Sequence, residues 1–89
     1  MLKSIHKKKF EKDIKRLRRQ GKDLNKIKSV MNCLVSETPL DHKLRDHALK
    51  GEFSDCRECH IEPDWLLIYL VTDDSIIFIR SGSHAELFK

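Results

Sequence analysis

Two apolar runs in the second half of the chain, at residues 65–71 and 76–79, most constrain the fold. Their apolar side chains follow one another without the alternation of a half-buried strand, so a strand made of either run needs cover on both faces. The longer run has seven residues, far fewer than the roughly 20 that a membrane-spanning helix needs. Turn-forming residues separate the two runs. The sequence therefore predicts neighbouring central strands in a sheet that is covered on both sides.

The first third of the chain has a helical period instead. Phe10, Ile14 and Leu17 form one apolar stripe in a cationic segment that Gly21 ends. Asp23 is suited to cap a second helix. Apolar residues repeat every three to four positions in that helix: Leu24, Ile27, Val30 or Met31, and Leu34. Because few residues separate the two helices, we expect an antiparallel hairpin with its basic side chains outward.

The whole pattern predicts an α+β fold with the element order β-α-α-β-β-β. We expect the first helix over residues 7–20 and a loop over residues 36–51. The expected strands are residues 1–5, 55–61, 65–71 and 75–81. The sequence thus indicates one domain over residues 1–89, in which an N-terminal helical hairpin packs on a small, mainly antiparallel sheet.

Charge is distributed unevenly along the chain. Residues 1–35 hold twelve Lys and Arg against three Asp and Glu, a local charge of +9, whereas the remainder carries −5. This asymmetry favours an anionic partner for the helical hairpin, with nucleic acid as the first candidate. A solvated outer helix face is the alternative explanation of the same pattern.

The cysteines do not predict a cofactor or a metal. Residues 56–60 match the C-x-x-C-H pattern of covalent haem attachment, but the segment has the pattern of a strand and the sequence shows no export signal. A structural zinc site needs four ligands, and the sequence offers no second ligand pair at the usual spacing. An odd number of cysteines fits reduced thiols. We therefore expect a cytoplasmic protein with no cofactor, metal or membrane segment.

Histidines near turns and strand ends are the best candidates for chemistry. Three histidines, His47, His60 and His84, lie beside polar or turn-forming residues. Charged residues that could assist them are nearby in the sequence: Glu58, Asp64 and Arg80. Metal-free RNA cleavage uses such groups, because the 2′-hydroxyl must lose a proton, the leaving 5′-oxygen must gain one and the phosphorane charge must be offset. Histidine suits both transfers, since its ordinary pKa is about 6.5. Trp65 or Phe88 is expected to stack on a base, with core packing as the alternative for each.

Three collinear segments resemble the YafQ branch of the RelE/ParE toxin superfamily. They are RDHALKG at residues 45–51, RECHIEPDWLLIY at residues 57–69 and RSGSHAELF at residues 80–88. The resemblance implies a RelE-like microbial RNase fold and the toxin of a bacterial type II toxin–antitoxin system. It further implies a ribosome-dependent endoribonuclease that cuts mRNA in the ribosomal A site, contacts ribosomal RNA and is silenced by a cognate DinJ- or RelB-like antitoxin.

The resemblance also implies roles for individual residues. His84 is expected to be the general acid and His60 or Asp64 to activate the 2′-hydroxyl, although the acid and base roles could be exchanged. Arg80 is expected to offset phosphate charge. Glu58 is expected to have a supporting role, His47 to position the substrate and Phe88 to stack on a base. We expect further side chains to bind mRNA or ribosomal RNA: Trp65, Lys50, Arg57, Lys12, Arg16 and Arg19.

Two other interpretations stay open at this point. The same fold serves ParE-like toxins that inhibit DNA gyrase without cutting RNA, although those toxins generally lack the histidine set. A non-catalytic module that binds nucleic acid or metal through the histidines is the second. For a toxin of either kind, the +9 hairpin is the expected electrostatic target of an acidic antitoxin segment.

Overall fold

The computed structural model describes residues 1–88, which form an α+β fold built on one sheet. The strands are β1 (Lys3–His6), β2 (His47–Ala48), β3 (Arg57–Glu62), β4 (Trp65–Val71) and β5 (Ser75–Gly82). The helices are α1 (Lys8–Arg19), α2 (Leu24–Val35) and α3 (His84–Leu87). Two short 3-10 turns, His42–Leu44 and Gly51–Phe53, lie on either side of β2. Within residues 1–88, no helix combines the length and the apolar character that a bilayer-spanning helix requires.

The strands are arranged in the order β1-β5-β4-β3-β2. β1 runs parallel to β5, and the other neighbouring pairs are antiparallel. The two apolar runs of the sequence lie in β4, the middle strand, and in β5 beside it, and most of their side chains are buried. The predictions of a mainly antiparallel sheet and of covered central strands are both confirmed.

The α1–α2 hairpin covers one face of the sheet, and a smaller apolar cluster covers the other. The larger core layer combines side chains of the hairpin and the sheet, among them Phe10, Leu17, Ile27, Val30, Trp65, Leu67, Tyr69, Ile76 and Phe78. On the opposite face, Leu66 and Ile68 pack with Leu87 of α3 and with the partly buried Leu49 and Phe53. The loop before β3 and the helix α3 thus cover the second face of the central strands.

Local signals set the ends of the hairpin helices. The Asp23 carboxylate accepts a hydrogen bond from the backbone N–H of Asn25 (3.0 Å) and caps α2. Gly21, between the helices, has a φ of +79°, which glycine adopts without a steric penalty. Lys7 precedes α1 without a side-chain cap. The hairpin predicted from apolar periodicity, from Gly21 and from Asp23 is therefore present.

The predicted element order misses two elements. The loop expected over residues 36–51 is interrupted by β2, which forms because His47 and Ala48 pair with Glu58 and Arg57 of β3. That pairing involves residues outside the segment, so no pattern within it indicates a strand. The predicted order also omits α3, although its capping box, Ser83 with Glu86, is a recognisable sequence spacing. The first strand begins at Lys3 rather than at residue 1.

Candidate active site

A row of aromatic rings runs along one end of the sheet. His47 lies 6.1 Å from His60, His60 lies 6.0 Å from His84, and His84 lies 6.1 Å from Phe88, measured between ring centroids. Phe53 extends the row, with its ring perpendicular to that of Phe88 at 5.9 Å. We call these five rings the ring row. It brings together four of the residues that the sequence analysis selected as catalytic.

Strand pairing explains why distant segments meet here. His47 lies opposite Glu58 across β2 and β3, and strand alternation puts His60 on the same face as Glu58. The β3–β4 turn carries Asp64 to the beginning of β4. Leu66 of β4 pairs with Gly82 at the end of β5, so α3 begins beside that turn.

Glu58 is the buried centre of one half of the site. Its side chain is 5% exposed, and its Oε2 lies 2.9 Å from Nε2 of His47 and 4.0 Å from Nε2 of His60. Its other oxygen, Oε1, is buried without a hydrogen-bond partner among residues 1–88. A buried carboxylate oxygen without a partner is energetically costly, so this atom is a ready acceptor for a bound group.

The segment before β2 holds the His47 ring in place. His47 Nδ1 lies 2.6 Å from the carbonyl oxygen of Arg45, a residue with a φ of +49°. The next residue, Asp46, accepts hydrogen bonds from the Tyr69 hydroxyl (2.6 Å) and from Nε of Arg57 (3.1 Å). Burial and the bond to Asp46 raise the pKa of Tyr69, so this hydroxyl keeps its proton and donates. These contacts anchor the loop that carries His47 to β3 and β4.

Asp64 orients His84 in the other half of the site. Its Oδ1 accepts from the backbone N–H of His84 and lies within hydrogen-bond distance of the ring Nδ1, each at 3.0 Å. The backbone N–H and the ring together lower the pKa of Asp64, so the carboxylate is ionised at neutral pH. A carboxylate on Nδ1 fixes the ring orientation and leaves Nε2 for a substrate.

Arg80 lies at the side of the site, near the end of β5. Its Nε donates to Oδ2 of Asp13 (2.7 Å) and its Nη2 to Oδ1 (3.2 Å). The hydrogen bond to Asp13 raises the pKa of Arg80. Arg80 lines a groove with Phe53, Ile79 and Leu87, and Phe53 belongs to the ring row. The guanidinium thus shares a groove with the outer end of the ring row, and its Nε and Nη2 edge is bound to Asp13.

Two of the residues predicted to bind RNA have their polar groups bound inside the fold. For Trp65 the prediction of base stacking is wrong, because the ring is buried, whereas the Arg16 side chain keeps 27% of its surface exposed. Trp65 is 0% exposed, and its Nε1 donates to the Ser81 hydroxyl (3.0 Å) in the core. Arg16 donates to Asp13 (2.6 Å) and to the Ser81 carbonyl (2.8 Å), and pairs with Glu86 (2.9 Å). A ring without exposed surface cannot stack on a base, and the guanidinium of Arg16 is occupied by partners inside the fold.

The remaining cationic candidates stay at the surface. Lys12, Arg19 and Lys50 are exposed. Arg57 is exposed as well, although it pairs with Asp46. These four side chains can therefore reach an external partner.

Sequence reasoning missed two residues of this region. Phe53 was not selected, and only its packing beneath α3 brings it to the ring row. Asp13 was likewise not among the predicted site residues, although its spacing of three from Phe10 and four from Leu17 places it on the apolar face of α1. A carboxylate on the apolar stripe of a helix is a visible signal, since a buried acid requires a cationic partner.

Cys59 lies in β3 and is buried, as expected for strand filling, whereas Cys56 lies just before β3 and Cys33 lies in α2. The three thiols are free, and Cys56 and Cys59 contribute to opposite core layers. Burial raises the pKa of Cys59 to about 12. That thiol therefore remains protonated at neutral pH and is not suited to act as a nucleophile.

Three ligand-type side chains lie close enough to hold one metal ion. His47, Glu58 and His60 each offer an atom, and these atoms lie within 4.8 Å of one another. Two imidazoles and one carboxylate suit Zn²⁺ and Cu²⁺. The same residues are candidates for acid–base chemistry, so a metal and a substrate would compete for them.

Comparison with known proteins now gives the family. The family model for YafQ, a bacterial toxin of type II toxin–antitoxin systems, matches residues 2–89. The chain belongs to the YafQ family. The mRNA interferase toxin YafQ of Escherichia coli K12 is 44% identical over 80 residues, which cover 89% of this chain and 87% of that toxin. The family predicted from the three sequence segments is therefore confirmed.

Solved YafQ-type structures share the fold. The structure of the E. coli DinJ–YafQ toxin–antitoxin complex contains a chain with a TM-score of 0.92 and 38% identity, covering 99% of this chain and 98% of that one. A copper-bound mutant toxin from Helicobacter pylori has a TM-score of 0.93 and 49% identity, covering 99% of this chain and 100% of that one. The predicted α+β, RelE-like architecture is confirmed by these similarities.

Proposed function

We propose that this toxin is an mRNA endoribonuclease that acts in the ribosomal A site in the bacterial cytoplasm and is silenced by a DinJ-like antitoxin. The observation that carries the proposal is the ring row, in which three histidines and Phe88 lie at contact spacing. The E. coli relative is an mRNA interferase, and this arrangement supplies the groups that such a reaction needs.

The proposed reaction is attack of a ribose 2′-oxygen on the adjacent phosphorus. His60 accepts the 2′-hydroxyl proton, and His84 as the imidazolium donates a proton from Nε2 to the departing 5′-oxygen. The P–O5′ bond breaks as the O2′–P bond forms, which gives a 2′,3′-cyclic phosphate and a 5′-hydroxyl. The lowered pKa of Asp64 makes it a weak base, so we assign Asp64 to orienting His84 rather than to activating the 2′-hydroxyl.

The other site residues bind and place the RNA in this scheme. The guanidinium of Arg80 offsets charge on the phosphorane. Phe88, which is 43% exposed, stacks on a base next to the cleaved bond. Glu58 and His47 hold the ribose and the His60 ring. The single strand is thereby splayed along the ring row.

Surface cations are proposed to hold the toxin on the ribosome. Lys12 and Arg19 are exposed on α1, and Lys50 and Arg57 lie near β2 and β3. Cations at such positions attract the phosphates of ribosomal RNA and mRNA without reading sequence. The ribosome would then supply the substrate alignment that so small a site does not build alone.

Ribosome dependence is the first testable consequence. A defined mRNA should be cut at least about 100-fold faster on ribosomes with an open A site than as free RNA, because the ribosome holds the strand in a reactive geometry. The measurement is mapping of 5′ ends after addition of the purified toxin. Equal cutting of free and ribosome-bound RNA would contradict the A-site proposal, and inhibition of DNA supercoiling without RNA cleavage would favour a gyrase toxin.

A second candidate function, metal binding, is favoured by the trio His47, Glu58 and His60 and by Glu58 Oε1, which has no hydrogen-bond partner within residues 1–88. The H. pylori relative was solved with copper. We propose that Cu²⁺ or Zn²⁺ binds this trio and withdraws His60 from proton transfer. In this scheme the metal is an inhibitor of cleavage and not a participant in it.

Addition of the metal should therefore suppress the nuclease. At about ten times its Kd, Cu²⁺ should leave about one tenth of the cleavage rate, since activity follows the fraction of toxin without metal. Titration calorimetry gives the Kd, and a chelator should restore the rate. His47→Gln should weaken binding, whereas His42→Gln, which alters an exposed histidine outside the trio, should not. Cleavage that rises with bound metal would refute an inhibitory role.

A further inference from the structure

A buried carboxylate on α1 lies outside the ring row. Asp13 is 2% exposed. It accepts hydrogen bonds from Arg16 Nη1 (2.6 Å), from Arg80 Nε and Nη2 (2.7 and 3.2 Å), and from the backbone N–H of Ser81 (3.0 Å). An ionised carboxylate is very unfavourable in a protein interior unless such partners compensate it. Asp13 therefore joins α1 to the end of β5 through compensated hydrogen bonds, and we call this contact the Asp13 junction.

This junction determines how Arg80 is presented. Two parallel hydrogen bonds hold the Nε and Nη2 edge of the guanidinium, which fixes the plane of the group. Within residues 1–88, both side-chain hydrogen bonds of Arg80 go to Asp13, and the side chain is 22% exposed, so the opposite edge with Nη1 can meet an anion. Arg80 lines the groove with Phe53 and Leu87, and Phe53 contacts Phe88 of the ring row. The contact with Asp13 thus occupies the Nε and Nη2 edge of Arg80 and leaves the other edge of the guanidinium for a group bound in this groove.

Other cations in the groove do not replace this arrangement. Lys7, Lys8 and Lys9 line it as well. An ammonium on a flexible stem attracts a phosphate, but it does not hold a fixed direction as a guanidinium in a two-point grip does. Placing charge on one particular phosphate therefore depends on Arg80 and on the carboxylate that holds it.

A purely structural role for Asp13 is the competing explanation. Asp13 also bonds Ser81 and Arg16, and these contacts stabilise the fold. Arg16 has further partners, the Ser81 carbonyl and Glu86, so α1 stays joined to β5 and α3 without the carboxylate. The two explanations differ in whether the effect of Asp13 on cleavage passes through Arg80.

We propose that Asp13 is a positioning residue for RNA cleavage, which acts by holding the Arg80 guanidinium toward the scissile phosphate. This inference rests on the proposed function, because that function assigns the phosphate contact to Arg80. The inference adds Asp13 to the residues that affect cleavage, although α1 otherwise contributes only to the core and to the basic surface.

A double-mutant cycle tests the inference. Single-turnover cleavage of mRNA on ribosomes gives the rate at saturating toxin and the toxin concentration at half saturation. Arg80→Ala should lower the saturating rate about 100-fold, and Asp13→Asn about tenfold or more, with little change in half saturation, because a misplaced charge is felt in the transition state. In the Arg80→Ala background, Asp13→Asn should change the rate by less than about twofold.

Matched variants separate this role from stability. Asp74→Asn removes a carboxylate that accepts hydrogen bonds from Thr72 and Ser75 at the β4–β5 turn, the opposite end of the sheet, and should leave the rate unchanged. If circular dichroism shows that Asp13→Asn is unfolded, Arg80→Lys replaces it, since lysine keeps the charge beside Asp13 but cannot make the two-point contact. Its saturating rate should fall about tenfold or more.

Three outcomes would overturn the inference. An equal loss from Asp13→Asn in both backgrounds would show that Asp13 does not act through Arg80. A full cleavage rate in folded Asp13→Asn, or in Arg80→Lys, would show that the two-point contact is not needed. Full activity of Arg80→Ala would show that Arg80 does not act on the scissile phosphate. Wild-type toxin that cuts no RNA would instead refute the proposed function as a whole.

Discussion

Replacing His84 by alanine is expected to lower the rate of mRNA cleavage by about 100- to 10,000-fold, the usual contribution of a positioned general acid. Without the imidazole, the departing 5′-oxygen leaves as an alkoxide. The rest of the ring row stays in place, because His60 and His47 are held by β3 and β2. The measurement is single-turnover cleavage of a ribosome-bound mRNA, together with growth after induced expression in cells.

The His84→Ala variant should fold normally. The His84 side chain is 57% exposed and alanine is favourable in a helix, so the free energy of unfolding should change by less than about 1 kcal/mol. His42→Ala is the matched control, since that histidine is exposed in a 3-10 turn, and it should cleave at the wild-type rate. Wild-type cleavage by His84→Ala would disprove the role of general acid.

Asp64→Asn provides an intermediate case. The amide oxygen can still accept from the backbone N–H of His84, but the charged partner of Nδ1 is lost. We expect a smaller loss than for His84→Ala, because the catalytic nitrogen remains and only its orientation weakens. A loss as large as that of His84→Ala would indicate that Asp64 itself transfers a proton.

Truncation of Trp65 should have the largest effect on stability. Trp65→Ala removes a ring that is 0% exposed in the larger core layer, and such truncations typically cost about 3–5 kcal/mol. Small domains have only about 5–15 kcal/mol in total. The variant should therefore unfold at a much lower urea concentration, as measured by circular dichroism, and lose cleavage because it unfolds.

Trp65→Phe separates packing from RNA contact. Phenylalanine keeps most of the buried surface and loses the Nε1 donor to Ser81, whose hydroxyl retains its bond to the Leu66 carbonyl (2.7 Å). The expected cost is about 1 kcal/mol for the hydrogen bond and a comparable amount for the smaller ring, and the cleavage rate should be unchanged. A folded Trp65→Phe toxin that no longer cleaves RNA would instead support base stacking by Trp65.

Features determined by local periodicity were predictable from the sequence. The α1–α2 hairpin and the central strands follow from apolar spacing, from Gly21 and from Asp23, each of which acts within a few residues. The catalytic grouping was predictable in another way, through segments that resemble a known family. Neither approach required knowledge of how distant segments meet.

Errors appeared where tertiary contacts decide the outcome. β2 exists only through its pairing with β3, and Phe53 reaches the ring row only because α3 covers it. Basic neighbours on α1 predict a solvent-facing Arg16, but its guanidinium binds Asp13 of the same helix and also reaches Ser81 of β5 and Glu86 of α3. For Trp65 the sequence left core packing and base stacking open, and burial in the larger core layer decides between them.

The contact between Asp13 and Ser81 joins residues that are 68 positions apart in the chain. Such a long-range contact costs more loop-closure entropy than the strand pair of His47 with Glu58, which closes a much shorter segment. Arg80 and His84 lie just beside the long-range contact, whereas His47 and His60 are held by the shorter-range strand pairs. We therefore expect the two halves of the site to differ in local stability, with lower protection of backbone amides from hydrogen exchange on the side of Arg80 and His84.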